Sequence, residues 1–177
     1  MKNKFTGFLL VIYLLLLFWI VVFKLNIPFS QIGHTRSVNL VPFDKPVILN
    51  GKPDTGELIL NILVFVPLGI YAGVLFKKWT ALKKILLFCL TSLLCESSQF
   101  ILAIGVFDST DIINNTLGGI IGLLLLKGIE KIFRSDARAH NFINIVMATG
   151  TFLVILLLFL LKTNRLWLSR VGPVHYQ

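Results

Sequence analysis

A chain of 177 residues that is 56% hydrophobic, with mean hydropathy +0.86, is more apolar than a soluble domain. Its length and its several runs of membrane-spanning length predict one compact membrane domain over residues 1–177 and exclude a second. The formal net charge of +9 does not indicate a nucleic-acid partner, because the basic residues sit in short clusters beside apolar spans and not on one soluble face.

Met1-Lys2-Asn3-Lys4 leads into an apolar run from Phe5 to Phe23. That run exceeds the roughly 7–15 residues of a signal-peptide core, and Lys24 follows without a small-residue cleavage pattern, so an uncleaved signal-anchor helix is expected. Lys24 to Glu57 is the longest polar connection and holds four of the six prolines, Pro28, Pro42, Pro46 and Pro53. Proline fixes φ and removes a donor, which predicts a shaped loop and not a helix. Within it, Val38-Asn-Leu-Val-Pro-Phe43 is apolar. Two readings are open: it dips back against the membrane, or it plugs the helix ends.

The second span, about 58–76, carries Asn61, Phe65, Gly69 and Gly73 at successive spacings of four. One face therefore grades from polar to small, and small residues let helices approach closely. Pro67 in mid-span predicts a kink and a carbonyl in need of a partner. After Lys77, Lys78, Lys83 and Lys84 comes the third span, about 85–104, with Glu96 and Gln99 inside it. A carboxylate at that depth costs several kcal/mol unless it is neutralised, paired or wet. The two polar residues are three apart and share a helix face. Cys89 and Cys95 point to different faces of the same helix, too far apart to bridge, and are expected as free buried thiols. The sequence has no CxxC motif and no Cys/His cluster, so no zinc site is expected.

Gly105-Val-Phe-Asp-Ser-Thr110 reads as a tight acidic turn. The fourth span, about 111–133, follows with Asp111, Asn115, Gly118 and Gly122 on one face. Gly118 and Gly122, flanked by Gly119, form a GxxxG pattern, read as internal helix packing ahead of a dimer face. A fifth span, about 141–161, is plainly apolar scaffold, and the tail from Lys162 to Gln177 is short and basic. The fold class predicted is an all-α membrane protein, a compact bundle of about five helices with a proline-rich outer loop after the first. Placing the N-terminus inside puts ten Lys and Arg on the inner side against seven outside, and leaves the turn between the third and fourth spans without any. The expected topology is N-terminus cytoplasmic, C-terminus outside.

With that orientation, and a rise of ~1.5 Å per residue, Asn61 lies about one turn below the outer surface and Glu96 roughly 12 Å down. Gln99, Asp111 and Asn115 share this depth range. A single outward-opening polar cleft is predicted. Three chemistries remain open for it. Glu96, Asp108 and Asp111 can supply a general acid and base. They can ligate a hard cation such as Mg²⁺ or Ca²⁺, the sole cofactor in view. Or a protonated Glu96 bonds Gln99, Asn61 or Asn115 and locks the bundle, while Asp108 and Asp111 cap the fourth helix. No Ser/His/Asp or Cys/His set is visible, and His140 and His175 lie away from the cleft. Lys24, His34, Arg36, Lys45 and Lys52 share the outer loop; they read as solvated charge ahead of contacts to lipid phosphates or a cell-wall precursor.

Asn39-Leu-Val-Pro-Phe43, Asn61-x-x-x-Phe65-x-Pro67-x-Gly69, Glu96-x-x-Gln99 and Asp108-x-x-Asp111-x-x-x-Asn115-Thr-Leu-Gly118 occur in order between about Phe5 and Leu126. Together they resemble the VanZ-like membrane family. The resemblance implies lowered susceptibility to teicoplanin and related lipid-bearing glycopeptides in a Gram-positive cell membrane. The partners expected for the cleft are membrane lipids and a lipoglycopeptide or cell-wall precursor. The resemblance supplies no mechanism. Many members carry an Arg where this chain has Gly105, and adjacent aspartates where it has Thr110-Asp111, so no role of that Arg transfers. The function expected is the handling of an amphiphile or envelope component at the outer leaflet. The alternative is a membrane-embedded enzyme that modifies an envelope lipid or cell-wall precursor through Glu96 and Asp111. A transporter is disfavoured by five short spans without an internal repeat.

Overall fold

The computed structural model describes residues 2–23, 35–44, 48–49, 52–53, 56–133 and 136–162. Among them are five helices, each long and apolar enough to cross a bilayer: α1 (Lys2–Phe23), α2 (Gly56–Leu75), α3 (Ala81–Ile101), α4 (Ser109–Phe133) and α5 (Asp136–Lys162). Helices are the form such sequences take, because an apolar environment offers no outside partner for backbone N–H and C=O groups. Most of the proline-rich connection after α1, and the basic tail, lie outside the described residues.

The bundle is built on a seam between α2 and α4. A methyl group added at Gly118 would strike the Ile62 carbonyl, one at Gly122 the Val66 carbonyl, and one at Gly69 the Gly119 carbonyl. Backbone thus lies on backbone, as small residues at regular helical spacing allow. Gly119 turns its bare face to the Phe88 ring, which brings α3 against the same seam. Gly118 and Gly122 therefore serve internal packing, as their pattern suggested. Around the seam, Leu17, Val22, Phe65, Leu68, Phe88 and Cys95 form one core. A second core, with Leu9, Tyr71, Val74, Leu126, Ile143 and Met147, docks α5. Near that end the Thr6 hydroxyl donates to Asn144 Oδ1 at 2.8 Å and lies 3.0 Å from His140 Nε2, tying α1 to α5. Both cysteines are free; Cys95 is buried and Cys89 half-buried.

Pro67 is carried inside α2, which runs on through it. Its missing N–H removes the helical donor for the Leu63 carbonyl. One residue on, the Val64 carbonyl accepts the Tyr13 hydroxyl at 2.7 Å, a bond that fixes α1 beside α2. At the start of α3, Thr80 Oγ1 accepts the Lys83 N–H at 3.4 Å and caps the helix.

The segment read as a tight acidic turn is something else. β1 (Thr35–Asn39), β2 (Ile48–Leu49) and β3 (Lys52–Pro53) lie in the long connection, and β4 (Ile104–Asp108) joins α3 to α4. β1 and β4 pair in parallel, from Thr35 opposite Ile104 to Asn39 opposite Asp108, and β2 and β3 form a short antiparallel pair. α3 ends at Ile101, three residues before the expected limit, because Ala103 adopts a left-handed φ of 50° and turns the chain into β4. Thr35, Val38, Ile104 and Val106 are the β-branched residues that suit this ribbon. The apolar piece Val38 to Phe43 does not plug the helix ends: Val38, Leu40, Val41 and Phe43 are all more than half exposed. Its backbone is held instead, by the Phe43 N–H donating to Thr110 Oγ1 at 3.0 Å.

Candidate functional site

The ribbon end of the bundle gathers the polar side chains. Glu96 projects from α3 with no solvent exposure, and its Oε2 accepts the backbone N–H of Asp108 at 3.0 Å. A peptide donor of this kind is what a carboxyl needs to sit so deep without a large desolvation cost. Gln99, one turn further along the same face, donates through Nε2 to the Val21 carbonyl at 3.0 Å and ties α3 to the end of α1. Both residues line a cleft of about 250 Å³, with Asn61 and Glu57 from α2 and Asp111 from α4. The other walls are apolar side chains of α1 and α2. The Asn61 Nδ2 is buried in it without a hydrogen-bond partner among the described residues.

Four of the residues singled out in the sequence, Asn61, Glu96, Gln99 and Asp111, are thus brought together. Three others take different places. Asp108 caps α4: its Oδ1 accepts the Thr110 N–H at 2.7 Å, and its Oδ2 accepts Asn39 Nδ2 at 3.1 Å. Asn39 in turn accepts the Val41 N–H at 3.3 Å. These two residues lock the ribbon onto the head of α4 and hold the frame from which Glu96 draws its amide donor. Asn115 lies one turn deeper than Asp111. Fully buried, it donates through Nδ2 to Ser92 Oγ at 2.8 Å, and so joins α4 to α3 beneath the cleft. Ser92 escaped sequence reading because a serine in a span carries no signal by itself. Glu57 escaped it because it was taken as the end of a loop, yet it stands one helical turn before Asn61 and shares its face.

Of the basic residues of the connection, Arg36 is committed to a helix end. Arg36 donates from Nε to the Phe100 carbonyl at 3.2 Å and from Nη2 to the Ile101 carbonyl at 3.1 Å, with its guanidinium 5.1 Å from the Phe100 ring centre. It closes the C-terminus of α3, where unsatisfied carbonyls favour a cation. Lys24, His34 and Lys45 lie outside the described residues. Among the described residues, no group of three His, Cys, Asp or Glu is placed to hold a metal ion; both Asp108 oxygens face Thr110 and Asn39. The cleft as built can offer a donor from Asn61 and hold an apolar group against α1 and α2.

The family model described as VanZ/LLP1 matches residues 10–134, a stretch that takes in the ribbon, the glycine seam and the whole polar cleft. Protein VanZ of Enterococcus faecium is 36% identical over 152 residues, which cover 85% of this chain and 88% of that protein. No solved structure matches the chain. With five helices suited to crossing a bilayer, the chain is a multi-pass membrane protein and belongs to the VanZ/LLP1 family.

Proposed function

We propose that the cleft handles an amphiphile at the extracytoplasmic leaflet, and that this lowers susceptibility to teicoplanin and related acyl-bearing glycopeptides. One observation carries the reading: side chains of three helices, Asn61, Glu96, Gln99 and Asp111, line one polar cleft at one end of the bundle. Polar groups at membrane depth are costly and mark function by default. The distribution of Lys and Arg supports an outward-facing cleft, with the N-terminus cytoplasmic and the C-terminus outside. The partners in this reading are membrane lipids and a lipoglycopeptide or cell-wall precursor. Family membership and the likeness to Protein VanZ support the antibiotic side of it.

The test is a susceptibility series across glycopeptides with and without an acyl tail. Cells expressing the protein are expected to gain protection that follows the tail. Glu96→Gln and Asn61→Ala are expected to lose most of that protection at unchanged membrane levels. Full protection by both variants, or equal protection against tailless compounds, refutes the reading. A second reading is supported by the two carboxyl groups, Glu96 and Asp111, on one cleft: an enzyme acting on an envelope lipid. It requires a new or depleted lipid species in membranes of expressing cells, lost in Glu96→Gln.

A further inference from the structure

The chain leaves β1 through a tight turn built against local preference. The Asp44 N–H donates to the Val41 carbonyl at 3.4 Å, so Pro42 and Phe43 are the two central residues. Proline suits the first of these places, and Phe43 holds a φ of 60° at the second, the pattern of a type II turn. Glycine is the residue for that second place, because a Cβ there crowds its own backbone. The ring finds little burial to offset the strain. More than half of Phe43 is exposed, and so is more than half of Val38, Leu40 and Val41. Strain at a residue that packs so little points to a role outside the chain, and clustered exposed apolar side chains mark a contact surface.

Thr110 fixes where the turn stands. It accepts the Phe43 N–H at 3.0 Å and belongs to the first turn of α4. Ile113, Leu117 and Leu124 follow it at offsets of three, seven and fourteen, on the same helix face, and all three are exposed. Because α4 spans the bilayer, that stripe meets acyl chains. Phe43 therefore stands at the end of a lipid-facing stripe, roughly 10 Å along the axis from Leu117. The backbone of the turn is also dressed for an apolar surrounding. The Val41 N–H donates to Asn39 Oδ1, the Phe43 N–H to Thr110 and the Asp44 N–H to Val41, while Pro42 has none to donate. Water makes no such demand on a loop, whereas lipid does.

We infer that Val38, Leu40, Val41 and Phe43 form an interfacial anchor, set into the boundary between lipid head groups and acyl chains beside the head of α4. Its partner is the bilayer itself, which already surrounds the helix face on which the turn stands. From Val38 to Phe43 the sequence holds no charge, so the contact is apolar and indifferent to head-group charge. The anchor holds β1 at the membrane boundary, and with it Asn39 and its bond to Asp108. The inference does not depend on what the polar cleft binds.

The full chain with Cys89→Ala is placed in phosphatidylcholine nanodiscs and carries a nitroxide at Leu40→Cys or Val41→Cys; Cys95 is buried and stays unlabelled. Electron paramagnetic resonance reads collisions with oxygen, which concentrates in lipid, and with a nickel chelate, which stays in water. At both positions the ratio of oxygen to nickel collisions is expected to exceed that at the exposed Lys78→Cys at least about fivefold, on the order of 1 kcal/mol of preference for lipid. Phe43→Gly gives the turn the residue its φ favours, so thermal stability in detergent is expected to stay at or above wild type while the ratio falls toward the Lys78 value. Phe43→Asn, also at ease with that φ, repeats the test if glycine loosens the turn. A ratio equal to that at Lys78 puts the turn in water and overturns the anchor. Shielding from both reagents means that a second copy or another protein covers the turn, and overturns it equally. A ratio unmoved by both Phe43 variants overturns the role of the ring.

Discussion

The two sides of α2 obey opposite rules. Toward α4 it presents Ile62, Val66 and Gly69, and the approach is so close that backbone carbonyls face bare glycine carbons. Toward α1 and α5 it presents Leu63, Val64, Pro67 and Tyr71, and a cleft remains between the helices. The first side is a fixed joint with no slack for one carbon atom. The second is held by side-chain contacts and a few hydrogen bonds, such as Tyr13 to Val64, and leaves volume for something else. One helix thus anchors a rigid frame and walls an adaptable space, and the polar cleft sits where the two meet.

The largest effect separating the two sides is expected from Gly122→Val. The added carbons strike the Val66 carbonyl, and backbone gives way less readily than side chains, so a cost of about 3 kcal/mol or more is expected, read as loss of thermal stability in detergent. A normally stable Gly122→Val protein would dissolve the contrast. An intermediate effect is expected from Asp108→Ala at the junction. It deprives the Thr110 N–H and Asn39 Nδ2 of their acceptor and costs about 0.5–2 kcal/mol, as for a lost helix cap. Hydrogen exchange should quicken at Thr110 and along β1 while the glycine seam stays protected. The smallest change is expected from Gly150→Phe, which enters open space in the α5 wall of the apolar cleft and should shift stability by no more than about 0.5 kcal/mol. Thermal unfolding checks it, and a loss near that of Gly122→Val would mean that this cleft is as tight as the seam.

The spans were legible because hydropathy alone marks them. Close packing could be read at Gly69 and Gly73 on one helix and at Gly118 and Gly122 on another, but not that these two helices meet each other. The meeting of Asn61, Glu96, Gln99 and Asp111 could be read from shared depth, which depends on residue count along a helix. Rotation about the helix axis is another matter. Asn115 shares a face with Asp111 in the sequence, yet it sits one turn deeper, against Ser92. Nothing in a lone sequence says which neighbour that turn meets. The ribbon was hidden for a different reason. Thr35-Arg36-Ser37 is too polar to read as a strand, and its partner is far along the chain, so no local pattern reports the pairing. Arg36 shows the consequence: grouped with loop charges by position, it becomes a helix cap once β1 lies beside β4.

That parallel ribbon also dictates when the polar end can exist. Asn39 and Asp108 stand 69 residues apart, and β4 is the last of the four strands in chain order. During synthesis β1 must wait for its partner until two more helices have been made and the residues after α3 emerge. Glu96 has no Asp108 amide to bond until then. A chain that ends before residue 108 therefore holds the first three helices and no finished pocket, and maturation of the site becomes a late event in the life of the nascent chain.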